Sequence, residues 1–383
     1  MTSDATDGAF VDPAPTAGSD RPKIEPSGKF RINPWLVASW VILAIVLLRV
    51  PFMFESFRVD QITAWMPLAI GACGLNLLTG YNGQISVGHG ALYGIGAYTA
   101  GLMINHFQVP LGVAVLSGAV SCFVVGILIG LPALRIKGLY LALVTLAVAT
   151  LFPSLLKQFS SLTGGGSGLQ IQTLQPYRGT MKLQNVIIES PVEWLDNHQW
   201  QYFLFLVVTI VCFLLTRNLV TSRVGRSLVA VRDNETAATV SGIPTAKVKI
   251  ITFGVSSALA GLAGGLFAID KAQLYPGSFT IVISIYFLVA VVIGGASSVI
   301  GPAIGALFYG IFSDVLIPEL PDRLQPSSAV ILGVTLILLM LVAPMGAVGV
   351  YRSTKARFLS SRARRAAAAK PEIGPAVSGN GNT

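Results

Sequence analysis

Polar side chains and glycines interrupt an apolar part of the chain between Gly80 and Ala100, where the sequence is GYNGQISVGHGALYGIGAYTA. Amides, hydroxyls and an imidazole at membrane depth are tolerated only against other protein or a water-filled path, because lipid offers no hydrogen bond. The glycines break a simple helical pattern, which indicates either a segment of a translocation pathway or a tight helix crossing. The candidates for lining or gating a pathway are Asn82, Gln84, Ser86, Gly88 and His89.

The sequence carries few groups for other chemistry. His89 has no ligand spacing to His106 or His198, so no metal site is predicted. No paired carboxylates or nucleophile motif is present, and the apolar segments hold almost no ionisable residues. We therefore expect no catalytic residues, no bound cofactor and no enzymatic activity in this chain. Uphill transport through it would need a partner that supplies the energy.

A basic segment runs from Arg217 to Lys249 between two apolar runs, and the positive-inside rule places it on the cytoplasmic side. Within it, Asp233 or Asn234 can cap the start of a helix, and Gly242 can end that helix at its C′ position. The pattern predicts a short helix with a small-residue face outside the bilayer. Two functions remain open for the segment: a solvated loop that only sets orientation, or a docking element.

Composition determines the expected fold class. Hydrophobic residues make up 53% of the 383 residues and charged residues only 11%, whereas a soluble protein carries about 25% charged residues. With many apolar runs of about 20 residues, this predicts an all-α, polytopic transmembrane helical bundle of about eight to ten spans, with broken or re-entrant segments. The net charge of +9 comes from basic loops and tails on one side of the membrane, so no nucleic-acid partner is predicted.

We expect three regions along the chain. Residues 1–34 form a disordered cytoplasmic tail, residues 35–348 the transmembrane domain, and residues 349–383 a basic, disordered cytoplasmic tail. Within the domain, residues 158–200 form an external loop and residues 217–249 the cytoplasmic loop. The predicted apolar segments are Trp35–Phe54, Ile62–Thr79, Ala91–Asn105, Pro110–Leu131, Gly138–Leu156, Gln201–Leu215, Val248–Ile269, Ile281–Gly294, Gly301–Leu316 and Ser327–Ala343.

Two short motifs share one pattern. Gly83-x-x-Ser86 and Gly295-x-x-Ser298 each follow an apolar run and are each followed by valine. Matching motifs in two parts of a membrane chain are typical of transporters built by internal duplication.

A series of distinct short motifs is spread along the chain. They are Gly74–Tyr81, Gly83–Ser86, Gly88–Ala91, Leu134–Tyr140, Thr163–Gly165 with Gly168-Leu169, Gly294-Gly295, Gly301-Pro302 and Gly305-Ala306. Together they resemble the LivM-type permeases of high-affinity branched-chain amino-acid ABC importers. The resemblance covers roughly Trp35 to Val348. Ser297 departs from the pattern, since the family commonly has glycine there.

The resemblance implies a multi-pass permease subunit in a bacterial inner membrane, with both termini cytoplasmic, that moves branched-chain or related amino acids. It implies these partners: a second homologous permease, two ATPase subunits that use ATP and Mg²⁺, and an extracytoplasmic solute-binding protein. One alternative is a permease of the same family for urea, short amides or another small polar solute. Another is a stand-alone channel or secondary carrier.

The resemblance also gives the basic segment a function. In such importers a cytoplasmic loop with the pattern E-A-A-x-x-x-G docks into the ATPase. Thr236-Ala237-Ala238-x-x-x-Gly242 fits this pattern, with Glu235 one residue early. The implied docking residues are Gly225, Arg226, Arg232, Glu235, Ala237, Ala238 and Gly242.

The distribution of charge predicts which loops face outward. A cysteine placed between Thr163 and Trp200 should react with an impermeant maleimide added outside intact cells, whereas Ser222→Cys and Ser353→Cys should not. Lysed cells, in which all three positions should react, provide the control. Labelling of Ser222→Cys from outside would show that the orientation is wrong.

Overall fold

The computed structural model describes residues 34–133, 139–177, 180–185, 188, 190–321, 328–342, 346–350 and 353–354. The chain divides into two compact units, Met1–Val50 and Pro51–Thr383. The predicted tails, residues 1–34 and 349–383, lie almost entirely outside the described residues, as does most of the Leu134–Tyr140 motif. The described part of the first unit is the beginning of helix α1.

Apolar runs form helices close to the predicted segments, which confirms the all-α polytopic class. The helices are α1 Pro34–Met53, α2 Ser56–Asn76, α3 His89–Phe107, α4 Leu111–Ala133, α5 Leu139–Gln158, α6 Ser160–Thr163, α7 Asn197–Thr221, α8 Arg223–Asp233, α9 Glu235–Val240, α10 Thr245–Lys271, α11 Ile281–Gly294, α12 Gly301–Gly310 and α13 Ser328–Val342. Five helices of the described chain are long and apolar enough to cross a membrane: α2 with its π-helical extension, α4, α5, α7 and α10.

Irregular segments separate α2 from α3 and α11 from α12, which agrees with the predicted broken segments. The helix α2 continues as a π-helix, Leu77–Tyr81, and residues 82–88 then form an irregular segment before α3. Residues 295–300 form a turn between α11 and α12, and α12 continues as a second π-helix, Ile311–Leu316. Such π-helices are frequent at functional sites.

The helix α10 packs against α2, α3 and α4, and glycines let these backbones approach one another. A Cβ at Gly96 of α3 would overlap Gly261 of α10, and a Cβ at Gly264 would overlap the Tyr93 carbonyl oxygen. These positions therefore exclude any side chain. The glycines within α3 serve a tight helix crossing, which is the second of the two functions predicted for this stretch.

Polar contacts identify two ends of the bundle. At one end Asp60 of α2 pairs with His198 of α7 at 2.7 Å, and Gln201 of α7 donates to Asp270 of α10 at 2.9 Å. At the other end α8 lies beside both irregular segments, 82–88 and 295–300, through contacts described below, and α9 packs against α8 and α10. We call this second end the α8–α9 end.

Strands occur in the predicted external loop, where the sequence did not indicate them. The strand β1 (Leu169–Gln170) pairs antiparallel with β4 (Gln273–Leu274), and β2 (Gln172–Tyr177) pairs with β3 (Thr180–Asn185). Asn105, near the end of α3, donates to the Gln170 carbonyl oxygen at 2.8 Å and accepts from the Gln172 N–H at 2.9 Å. The β1–β4 pairing and the Asn105 contacts are long-range and hold β1 and the start of β2 in place.

Gly118 and Gly112 lie on the same helix, α4, in different surroundings. A Cβ at Gly118 would meet the carbonyl oxygens of Gly96 and Gly261 at 2.7 and 3.2 Å, whereas no atom lies within 4 Å of a Cβ at Gly112. Gly118→Val should therefore lower the free energy of unfolding by about 1–3 kcal/mol through overpacking, and Gly112→Val by less than about 0.5 kcal/mol. Thermal unfolding in detergent measures both, and equal melting temperatures would contradict the close crossing.

Candidate functional site

Two capped helices, α8 and α9, form the middle of the basic segment. Ser222 Oγ accepts from the Val224 N–H at 3.1 Å at the start of α8, and Asn234 Oδ1 accepts from the Ala237 N–H at 2.9 Å at the start of α9. Of the two predicted caps for α9, Asn234 is the one used. The helix α8 was not predicted; it buries Leu228 among apolar side chains of the chain's own core.

The end of α9 confirms the predicted position of Gly242. Its N–H donates to the Thr239 carbonyl oxygen, and the next N–H, of Ile243, donates to the Ala238 carbonyl oxygen, both at 3.0 Å. This is the Schellman arrangement, with Gly242 at C′ and a φ of 81° that a residue with a Cβ adopts at a cost. The helix α9 therefore has a fixed length.

The docking candidates divide into two groups. Gly225 and Ala238 are buried within the chain, and a Cβ at Gly225 would overlap the Val220 carbonyl oxygen. Glu235 forms an ion pair with Lys249 of α10 at 2.6 Å, which attaches α9 to a membrane helix. Ala238 therefore cannot share an outward face with Ala237, as the E-A-A pattern suggested. The exposed candidates are Arg226, Arg232, Ala237 and Gly242.

An exposed apolar residue that sequence reasoning missed lies on the same short helix. Val240 is 85% exposed, and Ala237 and Thr236 are exposed beside it. Val240 is the one large apolar side chain exposed on α9, so the helix offers a small accessible face and not an extended apolar patch. We call Thr236, Ala237, Val240 and Gly242 the outer face of α9.

Arg232, predicted as a docking residue, binds groups of its own chain. Its Nη1 donates to the Gly80 carbonyl oxygen at 3.0 Å and to Ser297 Oγ at 2.8 Å. Its Nε donates to Asp233 Oδ1 at 2.9 Å, which fixes the orientation of the guanidinium group. Arg232 thus joins α8 to the end of the first π-helix and to the turn between α11 and α12.

Asn76 completes this set of contacts. Its Oδ1 accepts from the Ser297 N–H at 3.0 Å, and its Nδ2 donates to the Ser298 carbonyl oxygen at 2.8 Å. Ser297 Oγ donates to the Gly80 carbonyl oxygen at 2.6 Å. We call Asn76, Gly80, Arg232 and Ser297 the Arg232 cluster. The structure thereby brings the two Gly-x-x-Ser motifs into one neighbourhood.

His89 begins α3 and is completely buried. Its Nε2 lies 2.9 Å from Ser256 Oγ, and Ser256 Oγ donates to the Gly74 carbonyl oxygen. Since the Ser256 proton is used there, the hydrogen-bond network assigns the imidazole proton to Nε2, and Nδ1 accepts from Ser86 Oγ at 3.4 Å. His89 therefore has a partner at each nitrogen and joins α3 to α10, which makes it a packing residue in this arrangement.

Ser86 and Gly88 line a small cavity with Leu92, Ile129, Thr145, Val148 and Phe253. Thr145 Oγ1 accepts from the Val87 N–H at 3.0 Å, and a Cβ at Gly88 would meet the Thr145 carbonyl oxygen at 2.7 Å. The cavity is no larger than about one water molecule. This cavity is too small to admit a solute.

Asn82 differs from the other pathway candidates. It is 2% exposed, and neither of its amide atoms has a hydrogen-bond partner among the described residues. Gln84, by contrast, donates to the Lys249 carbonyl oxygen at 3.4 Å. Buried polar groups are satisfied by protein or by water, so Asn82 is the candidate whose amide is left to bind water or a solute once the segment moves.

Asn76 and Asn82 form a matched pair for mutation, because both are buried amides but only Asn76 has protein partners in the described chain. Leucine is close to asparagine in shape. Asn76→Leu should lower the free energy of unfolding by about 1–3 kcal/mol, since it leaves the Ser297 N–H unpaired, whereas Asn82→Leu should be neutral or stabilising. Thermal unfolding in detergent distinguishes the two, and a greater loss with Asn82→Leu would show that Asn82 has partners in the protein.

The family match and the individual relatives of this chain indicate the same family. The sequence matches the family described as "Branched-chain amino acid transport system / permease component" over residues 58–342. It is 28% identical over 317 residues to the high-affinity branched-chain amino acid transport system permease protein LivM of Escherichia coli (strain K12), covering 80% of this chain and 73% of that protein. LivM of Salmonella typhimurium is 29% identical over 316 residues, covering 79% of this chain and 73% of that protein.

A second kind of relative matches over nearly its whole length. The permease protein LivH of Escherichia coli (strain K12) is 26% identical over 318 residues, covering 78% of this chain and 96% of that protein. No solved structure matches this chain. The family match includes the Arg232 cluster, α8, α9 and the pathway candidates. This multi-pass membrane protein belongs to the family of permease components of branched-chain amino acid transport systems.

Proposed function

We propose that this chain is the membrane-spanning permease subunit of an ATP-driven importer for branched-chain or related amino acids. It would work with a second, homologous permease, two ATPase subunits and an extracytoplasmic solute-binding protein. The observation that carries the proposal is the family match over residues 58–342. The outer face of α9 supplies the contact for the ATPase, since the helix is capped by Asn234 and tied to α10 through Glu235 and Lys249.

The charge distribution supports the orientation that this function needs. The α8–α9 end and the helix ends beside it carry more basic than acidic residues, namely Arg217, Arg223, Arg226, Arg232, Lys247 and Lys249 against Asp233 and Glu235. Basic loops remain on the cytoplasmic side of a membrane, where ATP is available. The outer face of α9 would then meet a cytoplasmic ATPase.

The carboxylates of Asp314 and Asp270 support an external energy source. Asp314 accepts from the Trp65 indole at 2.6 Å, and Asp270 binds Gln201 and Lys271. Each carboxylate therefore has a partner near the end of its helix. Proton-coupled carriers place an ionisable group on the solute or proton path, and the proposal assigns energy input to α9 instead.

Asn82 is the residue that we assign to the solute path. Its amide is buried, lies in the irregular segment 82–88 and has no hydrogen-bond partner in the described chain. A primary amide can both donate to a carboxylate and accept from an ammonium group. Both groups are present in every amino acid, so this residue suits the proposed solute class without selecting among side chains.

The relatives' names concern branched-chain amino acids, and we propose the same solute class for this chain. Uptake of radiolabelled leucine, isoleucine or valine into proteoliposomes that contain the full complex and ATP tests it directly. Competition by the three amino acids, but not by urea or acetamide, is the expected result. Uptake of urea or acetamide alone would replace the amino-acid assignment, and uptake without the ATPase subunits would favour a stand-alone carrier.

Val240 and Trp194 allow a controlled test of docking, since both are large exposed apolar residues, 85% and 75% exposed, in different loops of the chain. Val240→Asp should leave the fold intact, because surface substitutions change stability by about 0.5 kcal/mol or less. It should reduce co-purification of the ATPase at least about tenfold, because a charge would be buried in a protein interface. Trp194→Asp should retain the ATPase. Full retention with Val240→Asp would show that α9 does not dock.

A further inference from the structure

The Arg232 cluster joins three elements that are far apart in sequence. Arg232 belongs to α8, Gly80 ends the π-helix after α2, and Ser297 lies in the turn between α11 and α12. All three meet through a single guanidinium group and a single hydroxyl. A displacement of α8 would therefore break its contacts with both irregular segments at the same time.

Ser297 occupies this position against its backbone preference. Its φ is 61°, in the left-handed region that disfavours residues with a Cβ. Its N–H donates to Asn76, its hydroxyl donates to Gly80, and the hydroxyl oxygen accepts from Arg232. Glycine would adopt this φ freely and keep the bond to Asn76, but it would lose both hydroxyl contacts. The serine thus adds a link between α8 and the turn that glycine could not make.

Arg232 also covers the beginning of the irregular segment 82–88. A Cβ at Gly83 would meet Arg232 Cγ at 2.8 Å, so the aliphatic part of the arginine lies directly on this glycine. Gly83 follows Asn82, whose amide is buried without a hydrogen-bond partner in the described chain. The arginine therefore contacts the part of the chain that must move if Asn82 is to meet a solute.

We propose that Arg232 is a positioning residue that holds the segment 82–88 closed and transmits movement of α8 and α9 to it. The proposal rests on the function proposed above. While Arg232 binds Gly80 and Ser297, the first π-helix, the turn 295–300 and α8 are fixed together. When a partner bound at the outer face of α9 displaces α8, both hydrogen bonds break, the arginine leaves Gly83, and Asn82 becomes accessible to water and solute.

Accessibility of residue 82 tests this directly in the full-length chain. The native cysteines Cys73, Cys122 and Cys212 are all buried, so Asn82→Cys provides a defined site for a small water-soluble maleimide. In protein reconstituted in nanodiscs, Arg232→Gln should raise the labelling rate of Asn82→Cys about tenfold, as expected for the loss of a hydrogen bond to a charged group.

The control is Arg223→Gln on the same helix. Arg223 is exposed, so this variant removes the same charge from α8 without touching the cluster. It should leave the labelling rate of Asn82→Cys unchanged. Equal labelling rates in the Arg232→Gln and Arg223→Gln backgrounds would overturn the proposal.

Ser297→Gly provides a second variant that is expected to fold, because it relieves the positive φ. Like Arg232→Gln, it should raise the labelling rate of Asn82→Cys. If both residues act through one contact, the labelling rate of Asn82→Cys in the double variant should exceed the rate in either single variant by no more than about twofold. Arg232→Lys, which keeps the positive charge and the donors but lacks the planar guanidinium fork, should restore part of the protection. Fully additive effects of Arg232→Gln and Ser297→Gly would show that the two residues act separately.

Transport measurements separate this proposal from the function on which it rests. In proteoliposomes with the partner subunits, Arg232→Gln should retain the ATPase but increase the number of ATP molecules hydrolysed per solute taken up, whereas Arg223→Gln should not. If the wild-type complex takes up no amino acid, the proposed function fails, and the labelling experiment still decides the role of Arg232. If the wild-type complex transports and Arg232→Gln keeps its coupling ratio, only the role of Arg232 fails.

Discussion

Every backbone group that is freed where a membrane helix is interrupted must find a hydrogen-bond partner inside the protein, because lipid offers none. The described fold depends on this constraint at its two irregular segments. The Gly80 carbonyl oxygen is bound by Arg232 and Ser297, the Ser297 N–H by Asn76, and the Val87 N–H by Thr145. The partners come from other helices, so these interruptions are stable only in the assembled bundle.

Small residues let the helices approach closely enough for these hydrogen bonds to form between them. At Gly88 and Gly96 the neighbouring backbone occupies the space that a side chain would need, and close backbone approach is the main source of helix association where no hydrophobic force acts between helices. The same packing explains why the region around Ser86 contains only a small cavity. In our proposal a path through this region opens when these elements move apart, and the contacts of Arg232 control that movement.

The helix α9 is short, and contacts with the rest of the chain hold it in place. Six residues would form no stable helix alone in water. The Asn234 cap, the Gly242 terminus and the ion pair between Glu235 and Lys249 fix its ends and attach it to α10. The face opposite these attachments carries Val240. A partner that binds this face would act on the membrane helices through α10 and, in our proposal, through Arg232 of α8.

The sequence by itself determined the apolar helices, a cap at Asp233 or Asn234 and the Gly242 terminus, because apolar run length, capping chemistry and the φ preference of glycine are local properties. It also gave the family. Only the tertiary structure decided that Arg232 binds Gly80 and Ser297, that Ala238 is buried, that His89 is fully hydrogen-bonded and that Asn82 is not. Each of these depends on which distant segments meet. Arg232 lies 65 residues from Ser297 and 152 from Gly80, and no local pattern records such contacts.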